Sequence, residues 1–392
     1  MTGDGISKEA RIVILSLSAS LASQHRGELV QMMSEDIVWQ RVYDLADRNR
    51  VGPRVFRTLM NVAPTMLPPE LMERWQTATR NNLKHNLFLA AELSRVMELL
   101  EGHGIRVVSF KGPVLAAMLH DTLALRPFTD LDLLVESAQI AQQAKDILLS
   151  EGYRLHEPLT PTQERFYLKT QCEYHLIDPL EQVYIDLHWK VFYSYFSYDF
   201  DHADSFSRLV NVSVAGRTYT TFGPEDLLLI LSAHSSRHLW ETLSMVADFA
   251  DLIDKFPSLD WAATLSRADA LGGRRMLLLA VCLSQTLVRG VVPVEISRSI
   301  RRDPLVQHLA RDVMSRVCAP TQVLPGFLEE LAFHLRCRER LYHRLRFVFL
   351  GAFTPGLQEY RRFPLPEPLF PLLFVLRLLR LLSRVLSSPT LD

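Results

Sequence analysis

Three carboxylates carry the most chemistry in this chain. Asp130 and Asp132 open the run Asp130-Leu131-Asp132-Leu133-Leu134-Val135. On a strand, residues two apart share a face. Asp130 and Asp132 therefore project together, while Leu131 and Leu133 point to the other side. Two carboxylates side by side repel each other unless a cation sits between them. Hard oxygen ligands of this kind suit Mg²⁺ or Mn²⁺. The third acid, Asp186, is central in Val183-Tyr184-Ile185-Asp186-Leu187-His188-Trp189 and alternates with Ile185 and Leu187. A charge in such a strand is costly unless it lies at an edge, is paired or binds a metal. Three acids on adjacent strands can hold two metal ions. Such a pair stabilises both the attacking and the leaving oxygen of a phosphoryl or nucleotidyl transfer.

The Lys111-Gly112 turn ahead of these acids suits a phosphate. Glycine lets the backbone come close, and the start of a following helix offers unpaired N–H groups and a positive dipole end. Lys111 or Arg126 would add charge for a triphosphate. His234 and His238 stand four apart on an expected helix. Ser235-Ser236-Arg237 lie between them, so the glutamate of a zinc protease is missing. The functional reading is a helix that packs over the nucleotide pocket and lends His234 or His238 to phosphate; ordinary packing is the default. His175 and His188 fall on neighbouring strands, and His188 shares the face of Asp186. Either could orient a carboxylate or contact substrate; packing is the default. Ser109, Ser205 and the cysteines have no Ser-His-Asp or Cys-His context.

These residues need a scaffold of strands and short helices. Ile105–Phe110, Leu131–Val135, Glu173–Ile177 and Val183–Trp189 read as strands, and Asp178–Glu181 as the turn between the last two. Val114–Leu119 and Ala138–Leu149 read as helices. Glu70–Leu100 has apolar residues at helical spacing without internal Pro or Gly, and helical periodicity returns from Pro224 onward. The expectation is an α+β fold: a small mixed-sheet core at about residues 101–200, between helical regions at 1–100 and 201–392.

The combination of a Lys-Gly turn, Arg126-Pro127-Phe128-Thr129-Asp130-Leu131-Asp132-Leu133-Leu134-Val135 and Asp186-Leu187-His188-Trp189 resembles the bacterial family known as uncharacterised nucleotidyltransferases. That family is similar to the wider superfamily that includes DNA polymerase β. The helical stretch Leu227–Asp248, with His234, His238, Trp240 and Asp248, fits the same resemblance. The superfamily's usual turn is Gly-Ser or Gly-Gly; here it is Gly112-Pro113. The resemblance implies a metal-dependent transfer of NMP from an NTP to a hydroxyl or phosphate acceptor. Asp130, Asp132 and Asp186 would bind two Mg²⁺ (or Mn²⁺) ions, and Lys111, Gly112, Arg126, His234 and His238 would hold the nucleotide. Two alternatives stay open: an idle nucleotide-binding scaffold, and a toxin-like enzyme acting on tRNA or protein.

Composition bounds the partners. The 392 residues carry a net charge of −1, with 43 Lys and Arg against 44 Asp and Glu. Proteins that grip long nucleic acids usually carry an excess of Lys and Arg, so a small molecule, sugar, peptide or protein acceptor is favoured. Four cysteines without a C-x-x-C pair fit a reducing compartment. The start, MTGDGISKEARIVIL, lacks the marks of a signal peptide, and a cytoplasmic protein is expected. The C-terminal stretch Leu369–Leu386 sets Arg377, Arg380 and Arg384 on one helical face. Such a helix could touch a membrane surface. The favoured reading packs it on the body with the arginines outward.

Overall fold

The period-two pattern around the three acids builds the middle of a sheet. Strand β2 (Asp130–Leu134) runs parallel to β5 (Tyr184–His188). Beyond them lie β1 (Val108–Ser109) on one side, and β4 (Glu173–Ile177) then β3 (Arg154–Leu155) on the other. The order is β1-β2-β5-β4-β3, and every pairing except β2–β5 is antiparallel. This computed structural model describes residues 6–17, 23–200, 202–287, 292–321, 325–356, 359, 362–363, 365–370 and 372–387. It is an α+β fold.

One face of the sheet is greasy. Leu131, Leu133, Tyr174, Leu176, Ile185 and Leu187 are buried there. They join Leu89, Leu93, Val96 and Leu100 of a long helix, Pro69–Gly102, and Ala141, Ala144 and Leu148 of a second, Ala138–Ser150. The other face carries Asp132, Asp186, His188, Glu173 and His175. A second apolar cluster lies beyond it. It unites N-terminal helices, including Gly52–Val62, with Pro224–Arg237, Leu243–Lys255, Arg274–Leu287 and Pro304–Val317. Phe110 and Leu115, which flank the Lys-Gly turn, are part of that cluster.

The strand expected over Ile105–Phe110 is only two residues long. Val108 and Ser109 pair with Leu134 and Leu133, and the chain then leaves the sheet through the turn into helix Gly112–Leu119. Within the region expected to be helical, Val210–Val214 and Arg217–Thr221 form a separate hairpin. Its tip, Ala215-Gly216, has φ of 49° and 87°, the left-handed pair that a two-residue hairpin turn requires.

The C-terminal helix, Leu372–Ser387, reverses the expected orientation. Leu372, Val375 and Leu379 are 46%, 53% and 56% exposed. Arg377 and Arg380 turn inward onto the fully buried Glu359. A buried carboxylate is costly without a counter-charge, and these two arginines supply it. The side chain of Arg384 lies outside the described residues. No described helix is long and apolar enough to cross a membrane.

Candidate active site

Strand register assembles the polar face. Asp132 stands opposite Asp186 across β2 and β5. Across β5 and β4, Asp186 stands opposite His175, and His188 opposite Glu173. These residues line a cavity of about 350 Å³, closed by Lys111 and Gly112, by Arg126, and by His234 and His238. The volume is in the range of small-molecule sites. Gly112 has φ +51°, and a Cβ there would lie 3.1 Å from the carbonyl oxygen of Asp130. The turn can therefore approach the strand of acids closely only as glycine.

The charges interlock. Lys111 Nζ lies 2.5 Å from Asp132 Oδ1. Burial works against the ammonium, but Asp132 and then Asp130 outweigh it and raise the Lys111 pKa. Burial likewise works against the Asp132 carboxylate, and Lys111 and then His188 outweigh that, so its pKa falls. Asp130 goes the other way: burial, and then the charge of Asp132, push it up to about 6. His175 Nδ1 is 2.7 Å from Asp186 Oδ1. Burial opposes the His175 cation, and Asp186 overrides it.

His188 sits between two acids. Its Nε2 is 3.4 Å from Asp132 Oδ1, and its Nδ1 is 2.9 Å from Glu173 Oε2. Neither ring nitrogen is aligned for a hydrogen bond. The Tyr193 hydroxyl donates to Glu173 Oε1. Burial disfavours the imidazolium, but Glu173 and Asp132 hold the His188 pKa well above its ordinary value.

Residues 35–289 match the family described as uncharacterised nucleotidyltransferase. The chain belongs to this family. It is thus a nucleotidyltransferase, and the family implies an NTP substrate. A solved structure, an antigenic nucleotidyltransferase-like protein from Paracoccidioides brasiliensis, shares 14% identity. It covers 54% of this chain and 96% of its own, with a TM-score of 0.32. No curated protein matches.

Nucleotidyltransferases generally use divalent metals, and this one has a set of side chains that fits such an ion. Asp132, Asp186 and His188 each place one ligand atom within 4.8 Å of the others. Asp130 borders this group on the same strand and lines the same cavity. Two other groups of metal-ligating type are present. His120, Asp248 and Asp251 form one, but Arg54 already pairs with both of its acids and Arg126 with Asp248. Cys172, Glu173 and His188 form the other, where burial pushes the Cys172 thiol up to about 12.

Arg126 reaches the cavity of the nucleotidyltransferase, though not as a free cation. Its Nε lies 2.7 Å from Asp248 Oδ2. Asp248 also holds Arg54 at 2.7 Å. The rings of His234 and His238 have centroids 4.7 Å apart. Burial, then the charge of Lys111, drive His234 well below its ordinary pKa. Burial, then Arg237, drive His238 down to about 3. Both are neutral imidazoles at the cavity wall, able to hydrogen-bond without adding charge. Among the described residues, no acid, cysteine or third histidine joins them in a metal-sized group.

The sequence reading did not single out Glu173, Tyr193 or Arg54. Glu173 was within reach: it shares the face of His175 by the two-residue period, and its strand is legible. Tyr193 and Arg54 arrive from a loop and from a distant helix, for which local sequence holds no signal.

Proposed function

We propose that this enzyme transfers a nucleoside monophosphate from an NTP to a hydroxyl or phosphate acceptor, releasing pyrophosphate. The observation that carries this reading is the register of β2 on β5. It sets Asp132 opposite Asp186, beside Asp130, at one wall of the cavity that Lys111 and Gly112 close. In this reading residues 101–200 are the catalytic core, of the kind found in the DNA polymerase β superfamily. Asp130, Asp132 and Asp186 would hold two divalent ions, Mg²⁺ or Mn²⁺. Such ions offset the charge of the attacking and leaving oxygens when bound.

The chain's own residues supply the rest. Lys111, freed from Asp132, places its ammonium on the phosphates. The N-terminus of helix Gly112–Leu119 faces the same group with unpaired N–H donors. Arg126 is held by Asp248 through Nε and donates from Nη1 to the Gly112 carbonyl, which leaves Nη2 to face a phosphate. The neutral rings of His234 and His238 hydrogen-bond phosphate oxygens. Asp186, held by His175, stands nearest the acceptor and draws the proton from its hydroxyl. The acceptor oxygen bonds to the α-phosphorus, and the bond to the bridging oxygen of pyrophosphate breaks. A near-neutral chain fits a small molecule, sugar, peptide or protein acceptor better than a long nucleic acid.

The test is calorimetry with each of the four NTPs and Mg²⁺, on wild type and on the double variant Asp130→Ala/Asp132→Ala. Binding that needs both the metal and the carboxylates supports the reading and identifies the donor. Equal NTP binding by the double variant rejects it.

A further inference from the structure

Carboxylate oxygens are not the whole of this site. His188 is 4% exposed and follows Asp186 by two residues, on the same face of β5. One of its ring nitrogens lies within 4.8 Å of an oxygen of both Asp132 and Asp186, and Nε2 is the nitrogen that faces Asp132 Oδ1, at 3.4 Å. That ion-pair contact is not aligned as a hydrogen bond. A buried nitrogen with so loose a partner can take a ligand.

The other side of the ring supports it. Nδ1 faces Glu173 Oε2 at 2.9 Å, and Glu173 is itself steadied by the Tyr193 hydroxyl. A metal-bound histidine usually turns its second nitrogen to a carboxylate, which fixes the tautomer and aims the free lone pair. Asp132–His188–Glu173 has that layout. Lys111 Nζ shares Asp132 Oδ1, so the structure already places one positive charge where a cation would enter.

We propose that His188 Nε2 is a direct ligand, with Asp132 and Asp186, of one divalent cation, and that Glu173 and Tyr193 orient it. This rests on the nucleotidyltransferase reading of the site. Mg²⁺ prefers oxygen ligands and gives up its water reluctantly, whereas Mn²⁺, although also at home among oxygens, is larger, sheds water more readily and accepts one imidazole in a mixed set. The site therefore selects Mn²⁺ over Mg²⁺. An ion there would take the place of the His188 Nε2 proton, which leaves to solvent, and of the Lys111 ammonium on Asp132, which is then free for the nucleotide phosphates.

The test uses the full chain loaded with Mn²⁺. Pulsed electron paramagnetic resonance on wild type should show ¹⁴N coupling to the bound Mn²⁺. That coupling should vanish in His188→Gln and persist in His175→Gln and His234→Gln. By calorimetry, wild type should bind Mn²⁺ more tightly than Mg²⁺, and His188→Gln should narrow that ratio at least tenfold. Glu173→Gln should keep the nitrogen coupling while weakening Mn²⁺ about 10–100-fold, the usual effect of losing a carboxylate behind a metal-bound histidine. Mn²⁺ bound to wild type without nitrogen coupling overturns the proposal and leaves the carboxylate site standing. So does coupling that survives in His188→Gln. A wild-type protein that binds neither ion overturns the nucleotidyltransferase reading, and this proposal with it.

Discussion

Asp130→Asn should make the metal-free protein more stable at neutral pH. The Asp130 carboxyl has an ordinary pKa of 3.8 and is pushed up to about 6 by burial and the charge of Asp132. Below pH 3.8 it is protonated in both the folded and the unfolded chain, and its burial costs little. Above pH 6 it is ionised in both, and the full penalty is present. At about 1.4 kcal/mol per tenfold change in acidity, the gap corresponds to at most about 3 kcal/mol at pH 7.5, falling to about 0.5 kcal/mol by pH 4. Partial exposure of the side chain lowers the upper figure, and a gain of about 1–3 kcal/mol is expected from the substitution. Urea denaturation in EDTA, followed by tryptophan fluorescence at pH 7.5 and pH 4, measures the difference. Saturating Mn²⁺ or Mg²⁺ should offset most or all of the difference, since an ion at 100 times its Kd adds about 2.7 kcal/mol to a chain that binds it. A variant less stable than wild type at pH 7.5, or a difference that does not shrink as pH falls, would refute this account of the site.

Asp248→Ala leaves the buried Arg54 without one of its carboxylates and frees Arg126, and should cost about 3–5 kcal/mol of folding stability. A urea midpoint shift worth under about 1 kcal/mol would show that the pairing does not hold the helices. Gly112→Ala forces a left-handed residue against the Asp130 carbonyl; it should cost about 1–2 kcal/mol and weaken NTP binding by moving Lys111. Unchanged stability and affinity together would mean that the close approach of this turn has no role.

How much of this could be read in advance depended on how local the cause was. β2, β4 and β5 were legible because alternation in Asp130–Leu134, Glu173–Ile177 and Tyr184–His188 is a property of consecutive residues. The shared face of Asp186 and His188 followed from the same period. The length of β1 was not legible, because pairing partners end that strand and its own propensity does not. The hairpin at Val210–Thr221 was legible in principle, with two alternating runs around Ala215-Gly216, and was hidden by the helical pattern that follows it. The inward arginines of the last helix depend on Glu359, which no periodicity within Leu372–Ser387 can reveal. The Glu173 contact to His188 needed the β4–β5 register, and the Arg54–Asp248 pair needed the tertiary fold itself.

The Asp248 carboxylate has a consequence for how the protein is made. Arg126 and its partner are 122 residues apart in the chain. A ribosome adding about 5–20 residues per second needs roughly 6 to 24 s to travel that distance. For most of that interval the nascent chain carries Asp130, Asp132 and, later, Asp186, but not yet the anchor of Arg126. His234 and His238 of the cavity wall arrive only in its last part. A chain that stalls before residue 224 thus has every acid of the sheet and neither that wall nor that anchor. The complete cavity is a property only of translation carried past residue 248.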